Sequence, residues 1–394
     1  MAEVAGAGAG RGQPVVLGRP AVSGDGHRSA LTTEADRLFT ICNACRYCEG
    51  LCAVYPAMER RRLFTDADVD FLANLCHNCG ACLFDCQYAP PHAFHVVVPE
   101  TLAKLRRNTW ERYAWPAPLG RLFRANAVAV SIAVVVALIG FLAVVGAVNG
   151  TLVERHTGAG AFYRVVPHAT IVSLYLAASG FAVVAMAVSI RRYWLAIDGG
   201  RPAWSDLRRA GRSAGTLEYL DGGGPGCVNH DDTPDDTRKR YHHLTFYGFA
   251  LCLAATTLAA VLEGAFHQVA PYPLWHPVVV LGTVGGIGLV VGPIGLLAAK
   301  RERAEGLTDP DSRSMELAFL GLLVAVSVTG LATLVLRATA VMPLLLVVHL
   351  AMVFAFFVTA PYTKMVHGAY RYAALVNDAG ERRRRELSSS RPDS

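Results

Sequence analysis

The sequence predicts a mostly α chain in two parts: a small cysteine-rich domain at the N-terminal end, then a six-helix transmembrane bundle. Three observations predict it. Eight of the ten cysteines fall within 45 residues, six apolar stretches of about 20 residues follow them, and the basic residues gather on alternate connections. Apolar residues make up 53% of the 394 and charged residues only 17%, a balance too apolar for an ordinary soluble protein. The net charge of +6 sits in a few Arg-rich stretches, which points to a membrane flank and not to a nucleic-acid surface.

Residues 1–30 are Ala/Gly-rich and low in complexity, and are expected to be a disordered tail. They lack the apolar core of a signal peptide, so a secreted, disulfide-bonded chain is not expected. Residues 31–115 form the cysteine-rich domain. Within it, Leu63, Val69, Leu72 and Leu75 predict a helix over 63–75 that opens on a Thr65-Asp66 cap. Residues 116–370 form the membrane domain, with spans at about 126–148, 166–190, 243–265, 274–298, 315–336 and 341–362. Each is long enough to cross the hydrocarbon core as a helix. Residues 371–394 are expected to be a basic tail.

Lys and Arg set the orientation. The 191–240 connection carries Arg191, Arg192, Arg201, Arg208, Arg209, Arg212, Arg238, Lys239 and Arg240; the 299–314 connection carries Lys300, Arg301, Arg303 and Arg313. The opposite connections hold Arg155 and Arg164, none in 266–273, and Arg337. The expected arrangement is therefore a multi-pass inner-membrane protein with both termini and the cysteine domain in the cytoplasm. Reducing surroundings also suit low-potential iron–sulfur centres.

The first cysteine run reads C-N-A-C-R-Y-C-E-G-L-C (Cys42, Cys45, Cys48, Cys52) and the second C-H-N-C-G-A-C-L-F-D-C (Cys76, Cys79, Cys82, Cys86). Cysteines at i, i+3 and i+6 wrap one face of a cubane, and in such runs the fourth cysteine ligates the other cluster. Cluster 1 is therefore expected on Cys42, Cys45, Cys48 and Cys86, and cluster 2 on Cys76, Cys79, Cys82 and Cys52. Pro56 and Pro90 stand four residues after the fourth cysteines, a departure from ferredoxins, where proline follows at once. Zinc also favours paired CxxC motifs, but the third evenly spaced cysteine points to iron–sulfur. The first domain thus reads as a ferredoxin-like two-[4Fe–4S] unit, an electron wire. His77, between ligands, is expected to be solvated.

A wire that ends at a membrane needs an acceptor there, and ionisable groups inside helices are functional candidates. His349 lies inside the sixth span and His367 follows it by 18 residues. On one continuous helix, 18 residues are five turns, so both would face the same way about 27 Å apart. That layout suits two stacked haems, with Pro361 as a kink between them. The expected pairs are His243 with His367 for an inner haem and His168 with His349 for an outer one. His242 neighbours His243, and His267 and His276 rival His168. Gly282, Gly285, Gly286 and Gly288 mimic a dinucleotide loop but lie inside a span with no preceding strand, so they read as close helix packing. Glu263 reads either as a proton-passing group at a quinone pocket or as a helix-end carboxylate. Cys252 reads as packing, and Cys227 stands alone.

These residues resemble the tricarballylate/citrate utilization protein B family. The resemblance rests on C-R-Y-C-E-G-L-C, then H-H-L-T-F-Y-G-F-A-L-C (His242–Cys252), A-P-Y-P (Ala270–Pro273), G-T-V-G-G-I-G-L-V-V-G-P (Gly282–Pro293) and P-Y-T-K-M-V-H-G-A-Y-R (Pro361–Arg371). It covers about residues 38–377, in the family's order. It implies a membrane electron-transfer partner for a separate FAD-dependent dehydrogenase of tricarballylate or a related tricarboxylate. The implied route runs from reduced FAD through the clusters to haem b, one or two, and on to quinone. Similar modules occur fused to a flavoprotein in a cobalamin-pathway protein, whereas no flavin fold is legible here. The six-helix part is also similar to the haem subunits of nitrate reductase and heterodisulfide reductase complexes.

Three other readings stay open at this point. One is a quinone-linked oxidoreductase subunit for another donor, such as a thiol/disulfide or lactate-type dehydrogenase. A tricarboxylate transporter is a second, but it should carry basic residues at mid-depth, and the spans have none there. The third is a cluster-based redox sensor without turnover.

Overall fold

The computed structural model describes residues 29–148, 151–231, 233–303 and 306–389. The expected N-terminal tail, apart from Ser29 and Ala30, lies outside the described residues. The chain is mostly α, as the sequence predicts, with a cysteine-rich unit ahead of six long apolar helices.

The first unit contains α1 (Ala30–Cys45), α2 (Val54–Glu59), α3 (Asp66–Leu75), α4 (Ala81–Phe84) and α5 (Val98–Tyr113). Ser29 caps α1 by accepting from the Thr32 N–H (3.1 Å). α3 opens on the expected cap: Thr65 and Asp68 form a reciprocal capping box. A buried carboxylate fastens α3 to α5. Asp70 accepts from Arg112 Nη1 (2.9 Å), Tyr113 Oη (2.7 Å) and Thr109 Oγ1 (3.3 Å). Trp110 Nε1 donates to Asn74 one turn along (3.1 Å). Phe39, Phe71, Leu72 and Leu102 fill the core between these helices.

Six helices are long and apolar enough to cross a membrane: α6 (Asn126–Val148), α7 (His168–Ala196), α9 (Thr237–Phe266), α10 (Pro277–Arg301), α11 (Arg313–Val335) and α12 (Met342–Thr359). Val128, Ile132, Val135, Val136 and Ile139 of α6 face outward, where a lipid environment would receive them, while Ala137, Phe141 and Val145 pack inward. α9 and α10 lie against each other through glycines. A Cβ on Gly285 would come within 2.8 Å of Cys252 Sγ, and one on Gly295 within 2.2 Å of the Tyr241 ring. The glycines thus serve close helix packing, and Cys252 packs against them.

Two expectations about the C-terminal part change. The sixth span does not run on to His367. Pro361 has no N–H to offer the Phe357 carbonyl, the chain tightens into a 3-10 turn over Ala360–Tyr362, and Thr363 is extended. A separate helix, α13 (Val366–Ser389), then starts, so the 18-residue face argument does not apply. Nor is 371–389 a loose basic tail, because Ala373–Gly380 are all buried against α3, α7 and α8 (Trp204–Thr216). Ion pairs lock it there. Arg60 bonds Asp378 (2.5 Å) and Glu381 (2.9 Å), Arg61 bonds Glu381 (2.6 Å), and Arg383 bonds Asp206 of α8 (3.0 Å).

Candidate functional site

The cysteines close on two neighbouring cavities. Cys42, Cys45, Cys48 and Cys86 line the first; Cys52, Cys76, Cys79 and Cys82 line the second. Each fourth cysteine thus sits with the other run's first three. Cys82 and Tyr55 line both cavities, so the two share a wall. Among the described residues, no three His, Cys, Asp or Glu side chains converge on a single-ion position. The thiols surround a space, as the four corners of a cubane require.

Local backbone turns produce this. α1 stops at Cys45 because Arg46 adopts a left-handed conformation (φ 58°), and its N–H returns to the Cys42 carbonyl. In the second loop Asn78 (φ 60°) and Gly80 (φ 95°) do the same. A side chain at Gly80 would also press on Leu307. These turns aim N–H groups at sulfur: Asn78 N to Cys76 Sγ (3.3 Å), Val54 and Tyr55 to Cys52, and Ala81 to Cys79. The Tyr55 hydroxyl lies between Cys48 and Cys82 and can donate its one proton to either sulfur. Burial and neighbouring thiols push Cys42 up to about 12 and Cys79 up to about 11. Such thiols stay protonated unless a metal centre replaces the protons, which suits a cluster.

The surroundings of the two cavities differ. The first opens outward beside Tyr47 (72% exposed). The second is lined in part by Tyr219, and its ligand loop is held by connections from the membrane domain. A small hairpin, β1 (Cys227–Val228) with β2 (Pro234–Asp235), crosses it, and Val228 N donates to the Cys79 carbonyl (3.0 Å). Buried Cys227 packs there with Leu217 and Leu220. Asn78 Nδ2 donates to Leu307 O (2.6 Å), which ties the loop to the 306–312 connection. His77 is buried, not solvated: its Nδ1–H donates to Leu75 O (3.0 Å), its ring meets Tyr219, and burial followed by Arg371 holds it neutral.

Among the histidines, the ring facing His367 is His242, at 6.0 Å between centroids and 77° between planes. His243 lies on the next face of α9, against Tyr247 at 5.8 Å. Consecutive residues differ by about 100° around a helix, so only one of the two can face α13. His367 Nδ1 bonds the Lys364 carbonyl, necessarily as donor, which leaves Nε2 with the lone pair. Burial, then Arg371 and Lys364, keep it well below the usual histidine range and hence neutral. His242 Nδ1 is buried without a partner. Two facing neutral imidazoles with an unspent nitrogen fit an axial pair.

The expected outer pair is not brought together. His168 Nε2 lies 3.3 Å from Glu263, and its ring meets Tyr163, which also donates to Glu263. His349 faces α11: its Nδ1 donates to the Val326 carbonyl (3.1 Å) and lies 3.2 Å from Thr329 Oγ1. Tyr175, seven residues into α7, already bonds the Leu350 carbonyl (2.5 Å). His168 is therefore about 10 Å further along the axis than His349. Of the rivals, His276 caps α10 and stacks on Tyr272 (4.5 Å), and His267 ends α9 in a left-handed turn.

The cysteine unit, the basic connections and the His242/His367 pair all lie at one end of the bundle. Four guanidinium groups gather there, those of Arg106, Arg238, Arg303 and Arg371. Burial, then the neighbouring arginines, pull Arg303 and Arg371 down to about 9.

Known proteins resemble this arrangement along nearly its whole length. Residues 121–388 match the family described as citrate utilization protein B, and residues 35–112 match the Fer4-like domain of that family. The first unit is thus ferredoxin-like. The citrate utilization protein B of Escherichia coli is 44% identical over 352 residues, which cover 89% of this chain and 93% of that protein. No solved structure matches.

Proposed function

The chain belongs to the citrate utilization protein B family, and from that premise we propose that it carries electrons from a cytoplasmic flavoprotein to membrane quinone. In this reading Cys42, Cys45, Cys48 and Cys86 hold one [4Fe–4S] cluster, and Cys52, Cys76, Cys79 and Cys82 hold a second. His242 and His367 would hold a b-type haem. The donor is a separate FAD-dependent dehydrogenase that oxidises tricarballylate, citrate or a related tricarboxylate. The chain sits in the inner membrane with its cysteine unit in the cytoplasm, as the basic residues at that end favour.

The observation that carries the reading is a line of sites. A four-thiol cavity bordered by the exposed Tyr47 adjoins a second, and the second adjoins the head of α9, where Arg238 bonds the Asn78 carbonyl four residues before His242. Clusters and haem supply one-electron carriage when bound. The protein's residues do the rest. Eight cysteines would bind the centres as thiolates, their protons released to solvent, Tyr55 and the turned N–H groups donate to sulfur, and the Lys364 carbonyl orients His367. No step is routed through an outer haem, because His168 and His349 face different partners.

The test is purification followed by metal analysis and turnover. About nine irons per chain, eight in clusters and one in haem, a b-type haem spectrum, bleaching by the reduced flavoprotein and recovery on adding quinone are expected. Reduction by a thiol donor but not by the flavoprotein would contradict the choice of donor. Uptake of labelled citrate by vesicles without any redox change would replace the reading with a transporter.

A further inference from the structure

The same ligand motif builds both cavities, but the charge around them is unequal. Four guanidinium groups converge on the second loop. Arg371 Nη2 donates to the Cys76 carbonyl (2.8 Å), and Arg238 Nη1 and Arg303 Nη2 donate to the Asn78 carbonyl (2.6 and 2.9 Å). Arg106, 6% exposed, donates to the Ala73 carbonyl just before the loop (2.8 Å). Arg106 Nη2 and Arg371 Nε are buried without any hydrogen-bond partner. The carboxylate that faces this group, Glu316, is already bonded by Lys300 and Lys364. Buried cations short of anions are costly, and a cubane held by four thiolates is an anion. At the first cavity the charged lining residue is Asp85, and Arg46 and Glu49 on its rim lie in solvent.

We infer that this arginine collar makes the second centre the easier one to reduce, so that electrons run from the first cavity to the collared second and then toward His242 and His367. The inference rests on the cluster reading above and adds a direction to it. A nearby cation favours the more negative, reduced form of a cluster, and its pull is largest where burial keeps water and salt away. The exposed charges at the first cavity are screened, and Asp85 acts in the opposite sense. Each transfer moves one electron: the first centre is oxidised, the second is reduced, and no bond or proton changes hands. The flavoprotein donor supplies the electron. Tyr55 and Cys82, which line both cavities, make the shared wall across which it passes.

A redox titration of the purified full-length protein, followed by electron paramagnetic resonance, tests this. Cys45→Ala and Cys79→Ala identify which signal belongs to which cavity. The second-cavity signal is expected to appear at the higher potential. Arg303→Gln is expected to shift the oxidised-to-reduced ratio of that signal about tenfold toward oxidised, about 59 mV for one electron, and to leave the other signal in place. Arg303→Lys, which keeps the charge, is expected to restore most of the shift. Equal potentials, a higher potential at the first cavity, or equal shifts of both signals in Arg303→Gln would overturn the inference. If Arg303→Gln does not fold, the order of the two unsubstituted potentials decides alone. Iron well short of two clusters per chain would instead overturn the function proposed above.

Discussion

The first and second cavities are the same motif in two settings, and their difference separates what a ligand run determines from what its surroundings determine. Both offer four thiols, both are crossed by the other run's last cysteine, and both ligand loops contain a left-handed turn. The first is bounded by its own domain and meets solvent at Tyr47. The second is lined in part by Tyr219, and its ligand loop is held by the β1–β2 hairpin, the loop at Leu307 and α13, all supplied by the membrane part of the chain. A run of cysteines thus sets the kind of centre. Packing sets what surrounds it.

The largest effect that could break this comparison is at the cysteines themselves. Cys86→Ser is expected to act as Cys45→Ser does, and Cys52→Ser as Cys79→Ser does, each pair losing roughly half of the iron and the same one of two signals. Iron analysis with paramagnetic resonance reads this. Loss of Cys79's signal in Cys86→Ser would break the crossed grouping. Next in size is the haem. His242→Ala and His367→Ala are each expected to abolish the haem bands while iron stays near its full value, and His243→Ala is expected to keep them. Visible spectra of the three variants decide it, and loss in His243→Ala alone would reverse the pairing.

A smaller effect sharpens the contrast in walls. Glu381→Ala strips a shared carboxylate from Arg60 and Arg61 and loosens α13 from the cysteine unit. A cost of about 2 kcal/mol is expected, with the second centre's signal lost at lower denaturant than the first. Simultaneous loss would mean that α13 supports both alike. The smallest is Thr65→Ala, which removes one half of the α3 capping box. It should cost about 1 kcal/mol and leave both signals unshifted in a denaturant titration.

Much of this was legible in sequence because the signals were local. The spacing of the cysteines, the Thr65 cap and the six apolar runs each depend on neighbours within a few turns, and α3 and the spans lie close to where their patterns put them. What was not legible depended on contacts distant in sequence. α13 hides its core, Ala373–Gly380, behind the run Arg382–Arg385, which reads as a tail until Asp206 is seen to hold Arg383, and Arg60 and Arg61 to hold Asp378 and Glu381. The choice between His242 and His243 needs the rotation of α9 against α13, and no residue within either helix encodes that alone. Burial of His77 needs Tyr219, 142 residues away. The break at Pro361 did have a sequence signal. Proline was read as a kink, and it ends the helix.

The central claim is that electrons enter at the thiol cavities and leave into the membrane. Anaerobic stopped-flow mixing tests it most directly: the purified protein is first reduced by the flavoprotein with its tricarboxylate substrate, then mixed with a soluble quinone. Iron–sulfur absorbance is expected to bleach in the first step and to recover in the second, with quinone reduced in proportion to the electrons stored. Absorbance that never bleaches with this donor, or that bleaches and does not recover with quinone, would contradict it.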